Sequence, residues 1–306
     1  MPYKHYDWVN SRSPPILQPH SLRKHEIIET YIENYISNLK AKNYSKNVKI
    51  TIIDGFAGGG VYRHLETEKI CFGSPFIFLK IVQKIEQEIR SNINGNFNID
   101  AVYYFIDNDK NAVEFLQKQL CKRGYKKFIG KNIFLLNGIF SKIHPVISEI
   151  IKNRKSKSLF LLDQYGYKDA PIDVVSKILA DFPKSEIFLT FAVGALVNYL
   201  VDTPQFYKCV GADKEKYSIL SKKDISNLVI LKNNAKTIDD RRAWRKIAEE
   251  RIFNRIKNIC GIYYYYSAPI ISKKSNRSYW LLHITALKKS HIKFMEVCKC
   301  FLNHVP

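Results

Sequence analysis

From residue 48 to residue 201 the chain alternates two rhythms: short runs of β-branched and aromatic residues, and longer stretches whose apolar positions recur three and four apart. Ahead of them, SLRKHEIIETYIENYISNLKA (21–41) sets Leu22, Ile27, Ile28, Tyr31, Ile32, Tyr35, Ile36 and Leu39 on one face, which predicts an amphipathic helix capped by Ser21. Strands are expected at about 48–53 and in DAVYYFID (100–107), NIFLLN (132–137), SLFLLD (158–163) and SEIFLTF (185–191). Helices fall between them: GSPFIFLKIVQKIEQEI, with Ser74 as cap and Pro75 first in the helix, then NDKNAVEFLQKQLCK, SKIHPVISEIIKN, DVVSKILADF and the shorter GALVNYLV.

Five apolar strands separated by helices call for a parallel sheet covered on both faces. Residues 204–258, which include DDRRAWRKIAEERIFNRIKN, are strongly charged and helical in pattern. They read as a basic helical insertion into a main domain made of 1–203 and 259–306. Two more strands, GIYYYYSAP and SYWLLHITAL, flank the turn-like ISKKSNR and read as a hairpin joining the far edge. Tyr263 to Tyr266 and Trp280 supply core on one strand face, with base stacking as the alternative. The expected fold class is α/β: seven strands, mostly parallel, helices on both faces, and the charged insertion. There is no internal repeat.

Composition adds limits. A chain of 306 residues, 46% hydrophobic, can bury one sizeable core. No eighteen apolar residues run together and the first twenty residues hold no apolar leader, so no membrane partner and a cytoplasmic location are expected. Cys71, Cys121, Cys209, Cys260, Cys298 and Cys300 lack metal-site spacing and read as reduced, mostly buried thiols, with no metal centre.

Charge says more. The net +21 is concentrated: residues 118–157 hold eleven basic side chains against one acid, Glu149, and 267–293 hold six against none. Such blocks are the footprint of a phosphate-backbone partner, DNA or RNA; the plainer alternative is a solvated basic surface.

The chemistry centres on VKITIIDGFAGGGVY (48–62), where a strand runs into Asp54 and then Gly55, Gly58, Gly59 and Gly60. Such a turn sits at the carboxyl end of a strand, where open α/β sheets bind ligands, and glycines let a ligand approach the backbone. No Gly-Lys-Ser/Thr follows and no G-x-G-x-x-G is present. What remains, acid-x-F-x-G-x-G over Asp54, Gly55, Phe56, Ala57, Gly58 and Gly60, is similar to the first motif of S-adenosylmethionine enzymes; a tight strand-to-helix turn would use the same glycines.

The next strands end in Asp107, with Asn108 beside it, where an acid accepts from ribose hydroxyls, and in Asn137, placed for an adenine ring or a plain turn. Some fifty residues separate Asp54 from Asp107, against the usual twenty or so. The fourth strand runs into LFLLDQYGYKDAP. This loop resembles the amino-methyltransferase site, an acid or amide followed by two prolines and an aromatic, with Asp163 and Tyr165 as the polar and stacking groups and the prolines missing. Asp163 as an ordinary turn cap is the bland alternative, and no cysteine nucleophile is present in this loop.

Taken together, HSLRKHEIIETYIENYI, IIDGFAGGGVY with GSPFIFLKIV, YYFIDND, LFLLDQYGY, FAVGALVNYL and YWLLHITALKKSHIKFMEVCKCF resemble the three-Cys-motif partner proteins (TcmP) over residues 20–303. The resemblance implies a Rossmann-like class I methyltransferase fold, S-adenosylmethionine as cofactor, and a separate three-Cys-motif protein as partner. It also covers His20, Lys24 and His25, which would border the pocket. Three functions compete: amino-group methylation of a nucleic-acid base; a non-catalytic scaffold for the three-Cys-motif protein; and a metal-dependent nuclease using Asp54, Asp107 and Asp163.

Overall fold

The computed structural model describes residues 6–9, 13–42, 47–92, 98–164, 169–212, 217–261, 264–271 and 278–302. In chain order the elements are β1 (Ile16–Leu17), α1 (Pro19–Lys42), β2 (Asn47–Asp54), β3 (Val61–His64), β4 (Ile70–Phe72), α2 (Ser74–Asn92), β5 (Asn98–Asp107), α3 (Lys110–Lys122) and a 3-10 turn (Lys126–Phe128). There follow β6 (Ile133–Asn137), α4 (Phe140–Arg154), β7 (Lys157–Leu162), α5 (Ile172–Asp181), β8 (Glu186–Phe191), α6 (Val193–Asn198) and α7 (Pro204–Val210). The chain continues through α8 (Lys222–Asn234), α9 (Ile238–Cys260), β9 (Tyr264–Ile271), β10 (Ser278–Thr285) and α10 (Lys288–Leu302).

The protein is α/β, with a seven-stranded mixed sheet in the order β6-β5-β2-β7-β8-β10-β9. Four pairings, from β6 to β8, are parallel. The expected hairpin makes the sheet mixed, because β10 lies antiparallel to both β8 and β9. The parallel strands therefore share one carboxyl edge and one amino edge.

Strict alternation builds two cores from one sheet. Ile50, Ile52, Tyr103, Phe105, Leu159, Leu161 and Phe188 face a layer containing Ile28 and Ile32 of α1, Phe76 of α2, Phe115 of α3 and Phe294 of α10. Their neighbours Ile53, Tyr104, Ile106, Phe160, Leu162 and Leu189 face Ile147 of α4, Val175 of α5 and Leu196 of α6. The charged stretch 204–258 forms α7, α8 and α9, and its apolar side chains, among them Phe206, Ile225, Leu228, Ile252 and Ile256, enter this second core. In the hairpin Tyr265 and Trp280 are buried; Tyr263 and the turn at 272–277 lie outside the described residues.

Three local expectations are corrected. α1 begins at Pro19, and the Gln18 carbonyl accepts from the N–H groups of Ser21 and Leu22, so Ser21 lies inside the first turn. Proline suits such a start, since its ring presets φ and its absent N–H would have had no partner. A second sheet of three short strands, β1-β3-β4, follows the glycine loop and ties it to the segment before α1; β1 and β4 are too short to leave a pattern. Of the six free cysteines only Cys260 and Cys298 are buried, and Cys121 and Cys300 are exposed on outward helix faces. Among the described residues no helix is long and apolar enough to cross a membrane.

At the amino end of β8, wholly buried Glu186 bonds the His283 ring nitrogen at 2.7 Å and accepts from the Tyr31 hydroxyl at 3.0 Å, tying β8, β10 and α1 together. Removing one partner of a buried hydrogen-bonded polar pair leaves the other unsatisfied. His283→Leu is expected to cost about 3–5 kcal/mol in urea unfolding, and adding Glu186→Leu to it should recover most of the loss. A single variant as stable as the parent would show that the pair does not brace the sheet.

Candidate functional site at the carboxyl edge

Three adjacent central strands, β5, β2 and β7, deliver Asp107, Asp54 and Asp163 to the same edge. Asp54 closes β2 and is fully buried; its Oδ1 accepts from the Phe56 N–H at 3.2 Å and its Oδ2 has no hydrogen-bond partner. Burial raises its pKa to about 7, against the opposing pull of the Ser74 hydroxyl and the Phe56 N–H, and the charges of Asp163 and Asp107 add to the rise.

Between Asp54 and β3 the glycine loop is pinned by backbone bonds: Gly55 N–H to Leu161 O and Ala57 N–H to Ile106 O, each 2.9 Å, knit it to the flanking strands. Gly58 and Gly60 have φ of +57° and +70°, the left-handed region that favours glycine. The reason for glycine is nevertheless internal packing. A Cβ on Gly59 would lie 2.4 Å from the Trp8 ring and 2.7 Å from Phe115; one on Gly58 would meet the Tyr62 hydroxyl at 2.6 Å. One on Gly55 would press on Phe140 and Leu162, and one on Gly60 on Leu116 and Phe76. The chain's own rings thus occupy the room left by the missing side chains. Trp8 packs 5.3 Å from Tyr62 and 5.4 Å from Phe115 between ring centroids, so residues 6–9 cover the loop.

Asp107 is half-buried and organises the turn beside it. Its Oδ2 accepts from the Gly58 N–H at 2.8 Å and its Oδ1 from the Asp109 N–H at 2.9 Å. Asn137 is exposed at the end of β6, where its amide donates to the Asp107 carbonyl at 3.0 Å. Asn108 is exposed between them. Phe56 packs near Phe140, their centroids 6.2 Å apart, on the other side of the loop.

Asp163 follows β7 and pairs with the ammonium of Lys24 from α1. Burial pushes its pKa up, but the Lys24 charge and hydrogen bond outweigh this and hold it below the usual carboxylate range. Next to Lys24, His25 is driven down to about 4 by burial and then by the Lys24 charge, so its ring is neutral at pH 7. Gln164, also buried, turns back to accept from the Ala170 N–H at 2.9 Å. Tyr165 and Gly166 lie outside the described residues. His20 is apart from the pair, stacked on Tyr279 with centroids 5.1 Å apart.

The structure therefore gathers Asp54, Asp107 and Asp163 with Lys24 and His25 at one edge, and sets Asn108 and Asn137 at its open flank. Sequence reading missed Trp8 and Tyr62: they sit outside any periodic element, and only the crowding of glycines hinted that bulky groups press on the loop. Among the described residues no three His, Cys, Asp or Glu side chains are grouped to hold a metal ion.

No family model matches the chain, and no curated protein matches it.

Two outcomes are expected. Because the folded pKa of Asp54 is raised from 3.8 to about 7, its contribution is full below about pH 4 and is lost as pH rises to 7. Asp54→Asn should flatten that decline, worth about 1.4 kcal/mol per pH unit within the window, in urea midpoints measured from pH 4 to pH 8. Parallel curves for parent and variant would sink the assignment. Gly59→Ala, whose new methyl would collide with Trp8, should expose the indole and red-shift its fluorescence; an unshifted spectrum would contradict the cover.

Proposed function

We propose that this chain is a class I S-adenosylmethionine-dependent methyltransferase of the three-Cys-motif partner type, acting on an amino group of a nucleic-acid base. The observation that carries the reading is the set of three aspartates on adjacent strand ends at one edge, with the glycine turn issuing from the central strand. Supporting it is the strand order, in which the first long strand is central and a hairpin supplies the one reversed strand beside β8, the plan of class I methyltransferase sheets. Ligand crevices in open α/β sheets lie at such an edge.

The residues fit the cofactor at both ends. Buried Asp54 Oδ2, an acceptor without a partner, suits the cationic amino-acid end, and Asp107 with exposed Asn108 and Asn137 suits a ribose and base. Gly55, Phe56, Ala57, Gly58 and Gly60 shape the turn between these ends; packing of Trp8 and Tyr62, rather than open space, accounts for the glycines themselves. When bound, the cofactor supplies an electrophilic methyl group. Asp163 is the group that would accept a hydrogen bond from the amino group to be methylated, with Tyr165 after it for stacking. Neutral His25 and the Lys24 ammonium set its charge state.

A second reading is favoured by that same ion pair. With Lys24 on its carboxylate, Asp163 is already satisfied, as in a scaffold that keeps the fold to bind a three-Cys-motif protein without transferring methyl groups.

Calorimetric titration separates them. S-adenosylmethionine and S-adenosylhomocysteine should bind in the micromolar range without added metal, and Asp107→Ala should weaken both at least tenfold while the protein stays folded. Normal binding by that variant would refute the cofactor assignment. Asp163→Asn should spare binding and abolish transfer of labelled methyl to DNA or RNA; no transfer by the parent on any nucleic acid would leave the scaffold reading. Lys24→Met should lower stability by about 3 kcal/mol at pH 7. Since Asp163 sits low, the gap between parent and variant should close as pH falls through the carboxylate range.

A further inference from the structure

Lysines of the basic run 118–157, joined by Lys184, lie at the amino edge of the sheet, opposite the aspartates. Each parallel strand begins there, and lysines stand in the segments leading into β6, β7 and β8. Lys122, Lys126, Lys127 and Lys131 lie between the end of α3 and β6; Lys152 and Lys155 end α4 before β7; Lys184 precedes β8. All seven are exposed. Lys152 pairs with Asp181 at 3.0 Å and Arg154 with Asp100 at 2.7 Å, so these two acids already have a cation. Lys126, Lys127, Lys131, Lys155 and Lys184 form no ion pair among the described residues.

The surface between β7 and β8 is also concave. A hollow of about 320 Å³ lies there, with Lys152, Lys155 and Lys184 on its rim and Ser156 and Phe182 among its walls. Asp181 also lines it, paired with Lys152, and a phosphate beside Lys155 and Lys184 would fill only part of it. With a spacing of about 4.8 Å between strands, the step from β6 to β7 places the two lysine groups about 14 Å apart, a span of two to three nucleotides along a phosphate backbone.

We propose that this amino edge is a docking face for the phosphate backbone of nucleic acid, with one phosphate seated in the hollow beside Lys155 and Lys184. The proposal builds on the nucleic-acid reading above and changes where the polyanion is held. The opposite edge carries Asp54, Asp107, Asp109 and Asp163, and Lys24 there is paired with Asp163, which disfavours phosphates close to these carboxylates. Lysines rather than arginines dominate the amino edge, which suits point contacts to phosphates without base reading. Grip and candidate chemistry thus sit on opposite edges, about 20–25 Å apart along strands of six to eight residues. A nucleic acid long enough to fold round the flank could reach both.

The test is fluorescence anisotropy of a labelled twenty-nucleotide single-stranded DNA and an RNA hairpin, at several salt concentrations, with the full chain. Lys155→Glu/Lys184→Glu and Lys126→Glu/Lys127→Glu/Lys131→Glu should each lose tenfold or more in affinity, and the slope of log affinity against log salt should become shallower by about one per lysine changed. Lys236→Glu/Arg241→Glu, exposed on the turn before α9 and in its first turn, should bind as the parent does. Parental affinity in both amino-edge variants, or no nucleic-acid binding by the parent, would overturn the proposal, as would capture by vesicles containing phosphatidylserine with no binding to either nucleic acid. S-adenosylmethionine titration of the same variants keeps the two readings apart: cofactor binding should be unchanged by these substitutions, and its absence in the parent would refute the cofactor site while leaving the docking face standing.

Discussion

Everything chemical in this molecule is constrained by a sheet buried on both faces. Along β2, β5, β7 and β8 successive side chains enter opposite cores, so a polar group within a strand has no water to meet. Charges are pushed to the two strand ends. Where one remains inside, as with Glu186, it is held by His283 and Tyr31. The carboxyl edge collects the aspartates, the amino edge the lysines, and the separation follows from the fold rather than from any one residue.

Within the carboxyl edge, neighbouring aspartates are driven apart in acidity by their surroundings. Asp54 is enclosed without a cation and moves up to about 7, whereas Asp163 has the Lys24 ammonium and moves down. Asp107 is spent on the turn, accepting from Gly58 and Asp109. Two carboxylates of one residue type therefore hold opposite electrostatic positions at one edge while the third braces the turn, the arrangement by which sites commonly divide donor, acceptor and structural tasks.

The strands and helices were legible because burial on two faces writes near-continuous runs of β-formers between amphipathic helices, and the terminal hairpin was marked by its aromatic strands. The acids at the strand ends were legible for the same reason, as the first polar residues after each run. What could not be read were contacts between distant positions. Lys24 and Asp163 are 139 residues apart, and nothing local to either marks the other. The glycines were read as room for a ligand, but their neighbours Trp8, Tyr62 and Phe115 come from three separate parts of the chain. Likewise the basic run 118–157 was visible as charge, while the placement of its lysines beside Lys184 on one edge required the topology.

The cover over the glycine loop carries a consequence for the order of assembly. Trp8 leaves the ribosome long before Phe115, the ring it rests on, and Lys24 long before Asp163. The partner of Lys24 does not exist until β7 has been made, so the carboxyl edge closes only after β7 joins β2. Contacts of such long sequence separation form late because the loop between them must be closed first. During synthesis that edge stays open until β7 is made, and the Lys24–Asp163 pair, the longest closure, is the last part of it to be fastened.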